Sequence, residues 1–256
     1  MLKAFYTLRH SRSTTTAFIL WALTMLSLPI MGWIMGEDYL LRGMSVGVLM
    51  QVTAVLIILY NHWGLRCTSA TFLTVTLLSF LAELLGSRTG IPFGKYHYTG
   101  ILQPQIADVP VLIPLAWMMM LPPAWAIANL ITGKSGRSWS FISVSALAFT
   151  TWDLFLDPQM VGWDFWRWEI PGQYFGIPIS NYLGWFLVSA MLTYITGPDN
   201  LPAGTLSLVY VLTWGLQTLG QGIFWAQPGP AIFGFTCSGV FILAAYLKSK
   251  HEPGVI

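Results

Sequence analysis

Ser69-Ala70-Thr71-Phe72-Leu73-Thr74-Val75-Thr76-Leu77-Leu78-Ser79-Phe80-Leu81-Ala82-Glu83-Leu84-Leu85-Gly86 is an apolar run broken by a single charge, Glu83. A helix rises about 1.5 Å per residue and the hydrocarbon core of a bilayer is about 30 Å thick, so such a run reads as a membrane span. Comparable runs near 17–36, 44–61, 110–131, 139–157, 179–196, 205–224 and 231–247 are separated by Gly, Pro or charge clusters. The expected fold is therefore all-α: a polytopic integral membrane bundle of about eight helices, alternatively seven, forming one transmembrane domain over 1–256. The last two spans are parted only by Gln227-Pro228-Gly229-Pro230.

Composition agrees. Hydrophobic residues make up 55% of the chain and charged residues 9%, with a mean hydropathy of +0.64, whereas soluble domains carry about 25% charged residues. A net charge of +2, with basic residues scattered between apolar runs, gives no footprint for nucleic acid. Cys67 and Cys237 form no CxxC pair and share no metal spacing with the four histidines, so both read as small apolar core residues. Lys3, Arg9, His10 and Arg12 precede the run from Ala17 to Met35, which is too long for a signal-peptide core and reads as the first span.

With eight helices and both termini inside, Lys3, Arg9, Arg12, Arg66, Lys134, Arg137, Lys248 and Lys250 are cytoplasmic, and Arg42, Arg88, Lys95 and Arg167 are not. The positive-inside rule favours that orientation. Three of the four exceptions lie in the two long loops, 87–109 and 158–178, which this topology puts on one, non-cytoplasmic side. The two loops also resemble each other weakly. Each follows a helix bearing an acid, Glu83 or Asp153, and each closes on a Pro and a Trp seven residues later, Pro110 to Trp117 and Pro178 to Trp185. A repeat of this kind would be parallel, since two helices separate the copies.

Acids at helix depth are the sharpest chemical signal, because a charged Asp near the bilayer centre costs about 2.5–3.5 kcal/mol even on the mildest scale. Glu83 pairs with Arg88, reaches water at the interface, or is functional. Asp153 and Asp157, four residues apart, share a helix face until Pro158, where the helix is expected to end, leaving Asp157 partly solvated. Trp152, Phe155, Trp163, Phe165, Trp166, Trp168, Tyr174 and Phe175 crowd around this pair. They form an interfacial aromatic belt, a pocket of ring faces suited to a cation, or both. No GxGxxG, GxxxxGK[ST] or HExxH occurs, and no Lys falls inside an expected span, so nucleotide, zinc-peptidase and retinal readings have nothing to rest on.

Two stretches carry a family resemblance. Glu83-Leu84-Leu85-Gly86-Ser87-Arg88-Thr89-Gly90-Ile91-Pro92-Phe93-Gly94-Lys95-Tyr96-His97-Tyr98 runs on to Asp108-Val109-Pro110 and Ala116-Trp117. Thr151-Trp152-Asp153-Leu154-Phe155-Leu156-Asp157-Pro158-Gln159-Met160 continues through Trp166-Arg167-Trp168 to Tyr174-Phe175-Gly176-Ile177-Pro178-Ile179-Ser180-Asn181-Tyr182-Leu183-Gly184-Trp185. Together they resemble the membrane carotenoid-biosynthesis family that includes carotenoid 1′,2′-hydratases and bisanhydrobacterioruberin hydratases, over roughly the middle 100 residues.

The resemblance implies a hydro-lyase that adds water across the terminal 1′,2′ double bond of an acyclic ψ-end group, as in lycopene or γ-carotene. A carboxylic acid protonates C2′, aromatic faces stabilise the tertiary cation at C1′, and water captures it. Asp153 is the expected proton donor, with Glu83 or Asp157 orienting water. Trp152, Phe155, Trp163, Trp166, Trp168, Arg88, Lys95, Tyr96, Asp108 and Asn181 are the expected substrate contacts. Neither metal nor redox cofactor is called for. The implied partners are an acyclic or monocyclic carotenoid, the lipid bilayer and other carotenoid-biosynthesis enzymes. The implied location is a bacterial or archaeal cytoplasmic membrane, with a thylakoid membrane as the alternative. Two other readings stand beside this one: a Mg-dependent prenyltransferase using the Asp153/Asp157 DxxxD spacing, and a non-enzymatic carotenoid-binding or transport protein.

Overall fold

The structure, a computed structural model, describes residues 12–251. Lys3 and Arg9, which weighed in the orientation argument, and His10 lie outside the described residues. Among the described residues seven helical elements run in chain order: α1 (Arg12–Met35), α2 (Glu37–Thr89), α3 (Leu112–Thr132), α4 (Trp139–Gly162), α5 (Ile179–Thr196), α6 (Ala203–Leu219) and α7 (Pro228–His251). A π-helical turn, Gly220–Phe224, extends α6. Lys248 and Lys250, expected beyond the last span, form the end of α7. Helices α1, α2, α3, α4 and α7 are long and apolar enough to cross a membrane, and the chain is a multi-pass membrane protein.

The expected count of eight meets seven elements because two expected spans share α2. At Gly64 that helix leaves helical geometry, with φ 76° and ψ 176°, a conformation open to glycine because it has no Cβ. On an unbroken helix Met44 and Glu83 would stand about 58 Å apart, yet both line one cavity. The arms 37–63 and 65–89 therefore fold back on each other, and a single glycine replaces the loop expected between 61 and 69.

Burial is organised around α3, which touches α2, α4, α6 and α7 and is buried almost continuously from Ile113 to Ala128. The outer helices present apolar side chains outward. Leu73, Leu77, Leu81 and Leu85 form an exposed stripe on α2 at intervals of four residues, which water would not tolerate and lipid does.

Helix α4 continues through Pro158 to Gly162 instead of stopping before it. A proline lacks the N–H that would bond the carbonyl four residues back, here Leu154. The Tyr174 hydroxyl donates to that oxygen at 3.0 Å, so the freed acceptor is satisfied and the helix runs on.

The two long loops meet. Strand β1 (Tyr96–Tyr98) pairs antiparallel with β4 (Trp166–Trp168), Tyr96 opposite Trp168, His97 opposite Arg167 and Tyr98 opposite Trp166. Both loops therefore lie at the same end of the bundle, as the sequence predicts. Between them a small hairpin joins β2 (Gln105–Ile106) to β3 (Val109–Pro110), its two-residue turn made by Ala107 and Asp108 with φ 51° and 68°. Cys67 is exposed and Cys237 half-buried, so neither is the core residue the sequence suggested.

Candidate active site

Beneath the β1–β4 ribbon lies a cavity of about 80 Å³, where one ordered water needs about 10–15 Å³. Its wall is mostly apolar. Carboxyl groups come from Glu83 and Asp157, amides from Asn181, Gln51, Gln159 and Gln217, and hydroxyls from Thr213, Tyr96 and Tyr98; no Lys, Arg or His is among the described residues lining it.

Glu83 stands two turns before the end of α2 and is buried, 4% exposed. Its Oε2 accepts hydrogen bonds from the hydroxyls of Tyr96 at 2.6 Å and Tyr98 at 2.7 Å, and its Oε1 accepts from the indole Nε1 of Trp117 at 2.9 Å. Three donors from two elements thus hold one carboxyl without a cation. Burial, and after it the neighbouring Glu83 carboxylate, push the Tyr96 and Tyr98 phenols well above their usual range, so both remain donors. The Glu83–Arg88 pair considered in the sequence does not form. Arg88 instead faces Asp108 at 4.0 Å on the surface.

Asp153 and Asp157, one helical turn apart on α4, are 0% and 1% exposed. The single amide nitrogen of Asn181 bridges them, donating to Asp153 Oδ2 at 2.8 Å and to Asp157 Oδ2. Asp157 also accepts from Trp166 Nε1 at 2.6 Å. The solvated helix end expected for Asp157 is not found, because α4 continues past Pro158 and the ribbon covers it. Asp157 lines the cavity and Asp153 does not. Asp153 Oδ1 has no partner among the described residues.

Ring faces close the cavity. Trp117 stacks on Trp185 with centroids 4.6 Å apart and planes 21° apart, and Phe149 stacks on Trp185 at 5.3 Å. Trp152 meets Trp185 edge-on at 5.9 Å. From the ribbon come Tyr96, Tyr98, Trp166 and Trp168. Phe93 is wedged between two helices: a Cβ on Gly86 would fall 2.5 Å from its ring and one on Gly184 would fall 2.6 Å away.

Of the expected contacts, Trp152, Trp166, Trp168, Tyr96 and Asn181 line the cavity, together with Glu83 and Asp157. The others are elsewhere. Phe155 is buried against Gly234 of α7, and Trp163 packs edge-on to Phe165 and Trp225. Lys95 is exposed. Asp108, 93% exposed by its side chain, sits at the tip of the β2–β3 turn, where its left-handed φ suits an Asp. Their charges serve the surface of the loops.

Among known families, the one described as carotenoid biosynthesis protein matches residues 43–240. The chain belongs to the carotenoid biosynthesis protein family. Family similarity therefore reaches well beyond the central 100 residues, taking in both arms of α2, all of α6 and half of α7. A bisanhydrobacterioruberin hydratase from Haloarcula japonica is 33% identical over 190 residues, which cover 63% of this chain and 64% of that protein. The match thus spans less than two thirds of the relative's length. No solved structure matches.

Within this carotenoid biosynthesis family member, the geometry adds residues that sequence reasoning missed. Tyr98 and Trp117 lay within the quoted stretches without being assigned a role, and the shared spacing from Pro110 and Pro178 to Trp117 and Trp185 was the available signal for the stacked pair. Gln51, Thr213 and Gln217 had no signal, since Gln51 meets Thr213 across 162 positions of sequence.

Proposed function

We propose that the chain is a carotenoid hydratase, adding water across the terminal 1′,2′ double bond of an acyclic ψ-end group to give a tertiary 1′-alcohol. The observation that carries this reading is the pairing, in one apolar cavity, of Asp157 and Glu83 with the aromatic faces of Trp117, Trp152 and Trp185. Protonation of a trisubstituted alkene requires a carboxylic acid at the reacting carbon and a surface that favours positive charge. Asp157, at the cavity wall, replaces Asp153 as the proton donor expected from the sequence. Asp153 is a positioning residue that acts through the shared Asn181 amide. Glu83, held by three donors, faces the developing cation and stabilises it electrostatically.

The test is expression in a lycopene-producing bacterium followed by mass analysis of the pigments. A gain of one water per modified end supports the reading. A gain of an isoprenoid unit dependent on Mg²⁺ would instead assign the DxxxD pair to prenyl transfer, and unchanged pigment bound to the purified protein would make it a carrier.

A further inference from the structure

The hydratase reading leaves one reactant without a place, the water. Three buried polar atoms of the cavity-lining residues have no hydrogen-bond partner among the described residues: Gln217 Oε1 on α6, Trp152 Nε1 on α4 and Trp168 Nε1 on the ribbon beside Trp166. Buried polar atoms are bonded in the great majority of cases. Gln217 Oε1 is the one acceptor of the three and the indoles are donors; a small group that both donates and accepts, as water or an alcohol does, suits the acceptor and an indole alike, and Trp152 is the indole outside the ribbon that covers Asp157.

The surroundings of Gln217 fix its wall. It follows Thr213 by one helical turn on α6, and Thr213 Oγ1 accepts from the Gln51 amide at 3.2 Å. Gln51 makes its other contact with Met120 Sδ at 3.1 Å, a weak acceptor. This polar strip joins α2 to α6 across the cavity wall.

We infer that Gln217, with Trp152, seats the water that captures the cation, and that the same pair holds the oxygen of the product alcohol. This rests on the hydratase reading and adds its nucleophile. In the step, the π pair of C1′=C2′ takes the proton of Asp157, the oxygen of the seated water bonds to C1′, and the surplus proton of that water returns to the Asp157 carboxylate. Atoms and charge balance, and no other reactant is consumed. Gln217 touches the water and so is a catalytic residue in this assignment.

The assignment separates proton transfer from water capture. Without a seated water, the cation still forms and decays by losing a proton from C2′, which regenerates the alkene. Membranes carrying Gln217→Met, which keeps length and apolar bulk but lacks the amide, are incubated with lycopene in D₂O. The expected result is a fall in alcohol of at least about tenfold, as for loss of one hydrogen bond to a charged transition state, while recovered lycopene still acquires deuterium. Asp157→Asn is expected to abolish both signals. Gln217→Asn, which keeps the amide but withdraws it by one carbon, is expected to lie between Gln217→Met and the parent, and it carries the test if the Met variant does not accumulate. Alcohol formation at the parental rate in both Gln217 variants, or loss of deuterium exchange in step with alcohol, overturns the assignment. A parental protein that neither hydrates lycopene nor exchanges it overturns the hydratase reading itself.

Discussion

Trp117 and Trp185 stack face to face, 4.6 Å between centroids, although they stand 68 positions apart in the chain with the whole of α4 between them. Each closes one of the two motif-bearing stretches, so the stack is where those stretches join. Trp185→Leu retains apolar bulk and removes a ring face worth about 0.5–2 kcal/mol to a nearby cation. Hydration by this variant is expected to fall about 2- to 30-fold, measured as initial alcohol formation per folded protein. An unchanged rate would remove the stack from cation stabilisation.

Asp157→Asn and Asp153→Asn separate the donor from its support. Asp157 lines the cavity, so its amide variant is expected to lose the roughly 10²- to 10⁴-fold typical of a missing general acid. Asp153→Asn keeps a side chain beside Asn181 and is expected to cost less. Comparison of the two rates in the same membranes checks the order, and the reverse order would restore the role to Asp153.

Tyr98→Phe removes one of the three donors to Glu83. A hydrogen bond to a charged group is worth about 1.5–3 kcal/mol, and with Tyr96 and Trp117 still in place a fall of about tenfold is expected. Both phenols are held above their usual range, first by burial and then by the Glu83 carboxylate. A group with a raised pKa keeps its proton below that value, so the phenols stay protonated across neutral and mildly alkaline pH. The loss is therefore expected to be the same at pH 6 and pH 9, and a shift of the alkaline limb in the variant would contradict this.

Arg88→Ala, Lys95→Ala and Asp108→Ala are expected to hydrate at the parental rate. Arg88 and Asp108 have side chains 60% and 93% exposed, and exposed ion pairs contribute little. Kinetics on the three single variants decide the matter; a large loss in any one would return that residue to the site.

Gly184→Ala places a Cβ 2.6 Å from the Phe93 ring and 3.1 Å from the Pro92 backbone. Overpacking of this sort costs about 1–3 kcal/mol. Because Phe93 meets Tyr96 edge-on at 6.3 Å, its displacement is expected to move a Glu83 donor as well. Thermal unfolding in detergent and the hydration rate should therefore both drop.

Much of this was legible in the sequence because a bilayer imposes simple rules. Each expected span falls on a helix, and the acids stood out because an apolar run has no other use for them. The break in α2 was visible as a change in composition around Gly64, but its form was not, since one glycine does the work expected of a loop. Pro158 misled for a physical reason: the donor that repairs its helix, Tyr174, lies 20 residues from the Leu154 carbonyl it satisfies. Arg88, Lys95 and Asp108 were drawn into the site by their place in a motif. Whether a motif residue faces inward depends on loop geometry, here the turn at Ala107 and Asp108. Gln51, Thr213 and Gln217 meet only in three dimensions.

The β1–β4 ribbon is six residues of paired backbone; four of its side chains, Tyr96, Tyr98, Trp166 and Trp168, form cavity wall, and the first three grip the two cavity-facing carboxyls. Elsewhere the cavity reaches Met25 and Leu28 of α1 and Met44 of α2. On the hydratase reading, the ribbon is the end wall for a rod-shaped substrate reaching in from that side, as a buffer is at the end of a track. On that reading the two carboxyls meet the end group alone, and the length of chain behind it lies along the apolar wall.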